Sequence, residues 1–150
     1  MRPSQDRGFT LIEVILGVAL IGILMMVVLP RFDQGVLSKY TVKTQAHRFV
    51  SDLNLVRFMA ISEHLNYLIQ VDSTTHTYAI YKGSLGAENL VLPTRSFAPG
   101  ITVTGDTVFT FLPTGDADPG SGTTLTLAKG GYSWKVTVVL ATGRSAMTQL

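Results

Sequence analysis

The chain has 150 residues, 46% of them hydrophobic and 15% charged, against roughly 25% charged in an average soluble domain. High hydrophobicity with low charge excludes a disordered chain. The lack of cysteine excludes a disulfide scaffold, a thiol nucleophile and a thiolate zinc site. The net charge of +2 is unevenly spread. Residues 1–8 contribute +1 (Arg2 and Arg7 against Asp6), and residues 9–30 contribute −1 through Glu13. Residues 31–65 contribute +2 (Arg31, Lys39, Lys43, Arg48 and Arg57 against Asp33, Asp52 and Glu63), and residues 66–150 balance five bases with five acids. A nucleic-acid reader concentrates its bases on a recognition surface. The neutral C-terminal half does not, and nucleic acid is not an expected partner.

From Phe9 to Leu29 the sequence runs for 21 residues with Glu13 as its one charge. A helix of that length is about 31 Å long and matches a hydrocarbon core of about 30 Å. Arg2 and Arg7 precede the run, so the positive-inside rule predicts a single-pass span, residues 9–30, with a cytoplasmic N-terminus. A secretory signal would have a shorter apolar run ending at small residues, whereas this one ends in Leu29-Pro30-Arg31. Glu13 lies inside the run, where a carboxylate is costly and marks a functional position.

The segment Gly8-Phe9-Thr10-Leu11-Ile12-Glu13 resembles the class III (type IV prepilin) signal, with residues 1–8 as its leader. The resemblance implies that a membrane-embedded prepilin peptidase cuts between Gly8 and Phe9 and methylates the freed amine of Phe9. It also makes Glu13 the fifth mature residue, acting in assembly, and places Pro30 where pilin-like subunits carry a helix-kinking proline.

Residues 31–65 remain helical in pattern. Ala46, Phe49, Val50, Leu53, Val56, Ala60 and Ile61 recur at three- and four-residue steps and predict one apolar face, with Lys43, Arg48, Asp52 and Glu63 on the other side. Together with the apolar run, this predicts a stem from Phe9 to about His64, bent or loosened at Pro30. The head, residues 66–150, reads as strands. Asn66–Asp72 and Thr77–Lys82 flank the polar turn Ser73-Thr74-Thr75-His76 as a hairpin. Further strands are predicted at Ile101–Thr104, Thr107–Leu112, Thr124–Ala128, Tyr132–Leu140 and Ser145–Gln149, punctuated by Gly and Pro. Trp134, Val136, Val138 and Leu140 share one face of the longest. The fold class is α+β: a long N-terminal helix packed on an antiparallel β head of two small sheets.

The head resembles the H-type minor pseudopilins of type II secretion and the related FimT-like minor pilins. The resemblance is carried by Arg95-Ser96-Phe97-Ala98-Pro99-Gly100-Ile101, Phe109-Thr110-Phe111-Leu112-Pro113-Thr114-Gly115, Thr124-Leu125-Thr126-Leu127 and Val136–Arg144, in that order. It implies a structural subunit of a periplasmic pseudopilus, with a minor type IV pilin of pilus biogenesis or DNA uptake as the alternative. The implied partners are the prepilin peptidase, other major and minor pseudopilins in a filament, and the inner-membrane secretion platform. The implied location is the bacterial inner membrane with a periplasmic head. FimT-like DNA-uptake pilins have a basic tail after the Gly-Arg pair, but Ser145–Leu150 carries no charge.

No catalytic constellation and no cofactor motif emerges, so an enzyme is not expected. His47, His64 and His76 read as solvated residues, and Gly83-Ser84-Leu85-Gly86 lacks the context of a nucleophile elbow. Asp116 and Asp118 are weak candidates for a calcium loop. The EF-hand pattern requires a third oxygen ligand and a Glu where this chain has Gly120 and Leu127. Solvated carboxylates in a Gly/Pro turn are the simpler reading, and no metal is expected.

Overall fold

The computed structural model describes residues 9–28 and 34–150. These fall into two units that divide between Gln34 and Gly35, at the first residue of the second helix. The first contains α1, Leu11–Val28, whose described side chains are exposed all round. Eighteen residues rise about 27 Å, and no described helix is long and apolar enough to cross a membrane. The apolar run extends to Leu29, which lies outside the described residues with Pro30, so neither a continuous stem nor the expected kink is part of the described structure.

The second unit opens with α2, Gln34–Glu63. Its C-terminus is closed by His64 at φ 55°, after which the Leu65 N–H donates to the Ala60 carbonyl at 3.3 Å. That is the Schellman arrangement, in which a left-handed residue stops the helix and satisfies an orphan carbonyl. Eight strands follow: β1 (Tyr67–Asp72), β2 (Thr77–Lys82), β3 (Leu90–Ser96), β4 (Thr102–Gly105), β5 (Val108–Phe111), β6 (Thr124–Lys129), β7 (Tyr132–Val139) and β8 (Arg144–Gln149). They form two four-stranded antiparallel sheets, in the orders β3-β2-β1-β5 and β4-β6-β7-β8.

Local chemistry sets the turns. Asp72 Oδ1 accepts the N–H groups of Thr74 and Thr75 at 2.8 and 3.2 Å, closing the β1–β2 hairpin. Gly130 and Gly131 both take positive φ and join β6 to β7 in the two-residue turn that suits strand twist. The expected strands all form, to within a residue or two. β3 was not expected, because Pro93 interrupts it and it has little alternation. It is tolerated as the edge strand of its sheet, where register shifts opposite Ile80 accommodate it.

Six residues of α2 at helical spacing, Val42, Ala46, Phe49, Leu53, Val56 and Ala60, are fully buried. They share one core with Tyr67, Ile69, Tyr78 and Phe109 of the first sheet and with Leu125, Leu127, Val136 and Val138 of the second. The Phe49 ring stands edge-on to Tyr78 at 5.2 Å and to Phe109 at 5.8 Å, with Phe97 5.9 Å away. Two expectations for this helix are corrected. Ile61 is 40% exposed, because at about 100° per residue it has rotated off the face centred on Phe49. Asp52, expected on the solvent side, is buried. Truncating the hub, Phe49→Ala, is expected to cost about 3–5 kcal/mol of stability. Phe58→Ala, at an outward position, should stay within about 0.5 kcal/mol. Urea denaturation of the full chain in detergent checks both.

Candidate functional site

Among the described residues, two places where polar groups meet outside the turns bear on function. The first is the start of α1. Phe9 precedes the helix and is 84% exposed. Glu13 sits three residues into the segment that Thr10 opens, and Glu13 Oε2 lies 3.4 Å from both the Thr10 N–H and the Thr10 hydroxyl. The Thr10 carbonyl in turn accepts the Glu13 N–H at 3.0 Å. Thr-x-x-Glu with the carboxylate reaching back is half of a capping box. The lone acid of the apolar run therefore satisfies helix-start donors that an apolar neighbourhood would leave unpaired. Gly8 and Pro30 lie outside the described residues.

The second place is the Asp52 side chain, which sequence reasoning did not single out. Tyr78 on β2 donates its hydroxyl to Asp52 Oδ2 at 2.6 Å, and Arg95 on β3 pairs with Asp52 Oδ1. One carboxylate thus ties α2 to two strands of the first sheet. Burial, reinforced by the Asp52 carboxylate, pushes the Tyr78 hydroxyl far above its usual range. Asp52 lies about 60° round the helix from Phe49, on the flank of the apolar face, so its spacing was a legible signal.

The other expected polar residues behave as turn formers or solvated groups. Asp118 Oδ1 accepts the Gly120 N–H at 2.7 Å, and Asp116 Oδ2 accepts the Thr114 hydroxyl at 3.4 Å. Among the described residues no three acidic or histidine side chains cluster as a metal site. His47, His64 and His76 are exposed. Arg57 extends from α2 to donate its Nε–H to the Gly115 carbonyl at 2.8 Å, while Gly143 packs at φ 61° against that same carbonyl. The Thr-Gly-Arg turn before β8 is therefore a packing feature beneath which Arg57 anchors the head.

Known proteins align with this architecture. The family model for the type II transport protein GspH matches residues 45–143, which is 99 of the 150 residues. The chain belongs to the GspH family. A model for the prokaryotic N-terminal methylation motif matches residues 3–29, the segment containing Gly8, Phe9 and Glu13. Two fimbrial proteins of Pseudomonas aeruginosa are each 38% identical over 72 residues, 48% of this chain. The match spans 44% of the length of those relatives. Among solved structures, the type IV minor pilin FimU of Pseudomonas aeruginosa superposes with a TM-score of 0.58 at 20% identity, covering 71% of this chain and 87% of that one. The minor pseudopilin EpsH of the Vibrio cholerae type 2 secretion system gives 0.55 at 17% identity, covering 73% and 95%. Both share the fold of this GspH-family head, a long helix followed by two antiparallel sheets. The family is one of structural pilin and pseudopilin subunits.

Removing the Asp52 carboxylate leaves Arg95 and the Tyr78 hydroxyl without their acceptor. Asp52→Ala is expected to cost about 3 kcal/mol, the lower end for a broken buried pair because Arg95 is partly exposed. Asp52→Asn, which still accepts from Tyr78, should lose about half as much. Urea denaturation ranks the two. Acid sensitivity has a separate origin in Asp106. Its carboxylate is held below the usual range by the Thr124 and Thr123 N–H groups, which it accepts at 2.9 and 2.6 Å. A lowered folded-state pKa gives stability that is present above the unfolded value and lost as pH falls through the folded one. Melting temperature should therefore drop as pH falls below about 4, and less steeply in Asp106→Ala.

Proposed function

We propose that this GspH-family chain is a minor pseudopilin, a structural subunit of the periplasmic pseudopilus of a type II secretion system. The carrying observation is one chain in which the N-terminal methylation motif is followed by the GspH match. An α1 that is apolar on every side beyond Glu13 supports the reading, because such a helix is stable only when lipid or other helices surround it. In this reading residues 9–30 anchor the subunit in the inner membrane, N-terminus inside and head in the periplasm. The prepilin peptidase cuts Gly8–Phe9 and methylates Phe9. The processed subunit then joins other pseudopilins through the secretion platform.

Glu13 has a charge role in this scheme. The freed amine of Phe9 on an adjoining subunit can lie beside it in the filament. Two unit charges 4 Å apart attract by about 4 kcal/mol at an effective dielectric near 20, before desolvation is subtracted. Before cleavage that nitrogen is part of a peptide bond, so cutting must come first. A minor type IV pilin is the second reading, favoured by the fimbrial relatives and the likeness to FimU. Restoring secretion in a strain lacking its H-type pseudopilin supports the first. Restoring only pilus assembly in a strain lacking the minor pilin overturns it in favour of the second.

Co-expression with a prepilin peptidase should remove eight residues and leave methylated Phe9 as the N-terminus, read by mass spectrometry. An intact Met1 in membrane-extracted protein would count against the whole scheme. Glu13→Leu should be processed and inserted yet fail in assembly. Glu13→Gln separates the two roles of the residue, since an amide can cap the helix start but carries no charge. Failure of Gln as complete as that of Leu supports charge pairing, whereas normal assembly with Gln assigns the residue to capping.

A further inference from the structure

At the start of α2 a cleft of about 400 Å³ opens beside the second sheet, lined by Val36, Lys39, Tyr40, Lys43, Trp134 and Gln149. Its polar groups share one deficiency. Among the described residues neither Lys39 nor Lys43 has a carboxylate within ion-pair range. The Lys43 ammonium rests 5.9 Å from the centre of the Trp134 ring. Trp134 Nε1 is buried and has no acceptor. Among the described residues, two cations on one cleft lack an anionic partner, beside an indole whose buried N–H is also unpaired. The surrounding sequence reinforces this, since residues 31–43 carry Arg31, Lys39 and Lys43 against Asp33, a local +2.

The cleft also has an apolar rim. Val36, Leu37 and Tyr40 are 48%, 59% and 63% exposed on the same first turns of α2. Lysine, tyrosine and tryptophan beside exposed aliphatic groups are the combination that occupies a membrane–water interface. A free anion would use the lysines and leave that rim unexplained. Lys39 follows the end of the apolar run at Leu29 by ten residues, a reach of about 15 Å as helix and at most about 36 Å extended.

We propose that this cleft is a binding site for the headgroup of an anionic phospholipid, with the phosphate between Lys39 and Lys43 and the lipid's apolar part along Val36, Leu37 and Tyr40. The inference rests on the membrane-anchored reading of residues 9–30. Lys43 exchanges its place over the indole for the phosphate. Docking there would fix the head against the bilayer from which the subunit is later withdrawn.

Trp134 is the only tryptophan of the chain, so its fluorescence reports on the cleft directly. The full chain is reconstituted into nanodiscs of phosphatidylcholine with increasing phosphatidylglycerol, and quenching of Trp134 by headgroup-brominated phosphatidylglycerol is followed. The expected result is saturable quenching, with the half-point moved about fivefold higher in Lys39→Gln and in Lys43→Gln. Lys82→Gln, on β2 where that lysine pairs with Glu63 at the far end of α2, should leave it unchanged. Quenching that ignores lipid charge, or is unaltered in both lysine variants, overturns the site. So does complete reversal of the quenching by added inorganic phosphate at unchanged lipid content and ionic strength, which would make the cleft a site for free anions. Failure of the chain to enter discs of either composition, read by co-elution, instead removes the anchored reading on which the proposal rests.

Discussion

One face of one helix organises the head. Val42, Ala46, Phe49, Leu53, Val56 and Ala60 present an unbroken apolar stripe, and both sheets lie against it. Each four-stranded sheet has an apolar side that would otherwise face water, and the stripe is long enough to cover both. The aromatic cluster around Phe49 adds geometry to burial, because edge-on ring contacts restrict how the first sheet can slide along the helix. The helix is therefore a core element of the head.

That dependence explains why the polar links lie where they do. Apolar burial is non-directional and would permit several registers of helix on sheet. Asp52 with Tyr78 and Arg95, and Arg57 with the Gly115 carbonyl, hold the helix to particular strands and loops. A buried ion pair is a weak source of net stability but a costly one to break. Its value here lies in selecting one register.

The edges of the sheets show a related economy. The loop after β5 folds back along that strand, with Asp118 and Gly122 donating to the Thr110 and Val108 carbonyls and Ser121 accepting from Thr110. β3 carries a proline and β4 is only four residues long. Such devices discourage indiscriminate strand pairing at the sheet edges.

The sequence by itself determined what depends on local pattern. The 21-residue apolar run, Glu13 within it, the 3.6-residue stripe of α2 and the alternating strands were all legible, because each signal lies within a few residues of the chain. The Thr10-x-x-Glu13 spacing that produces the helix cap was also present, though it was read only as an assembly glutamate. Tertiary structure alone decided the rest. The position of Asp52 on the flank of the apolar stripe was legible, but its partners Tyr78 and Arg95 come from β2 and β3, 26 and 43 residues further along. β3 exists because β2 offers it a template that outweighs Pro93. Lys43 and Trp134 meet across 91 residues, where no sequence periodicity links a helix to the sheet that packs beside it. Local periodicity fixes which face of an element is apolar; which partners meet at the margin of that face depends on the packing of distant segments.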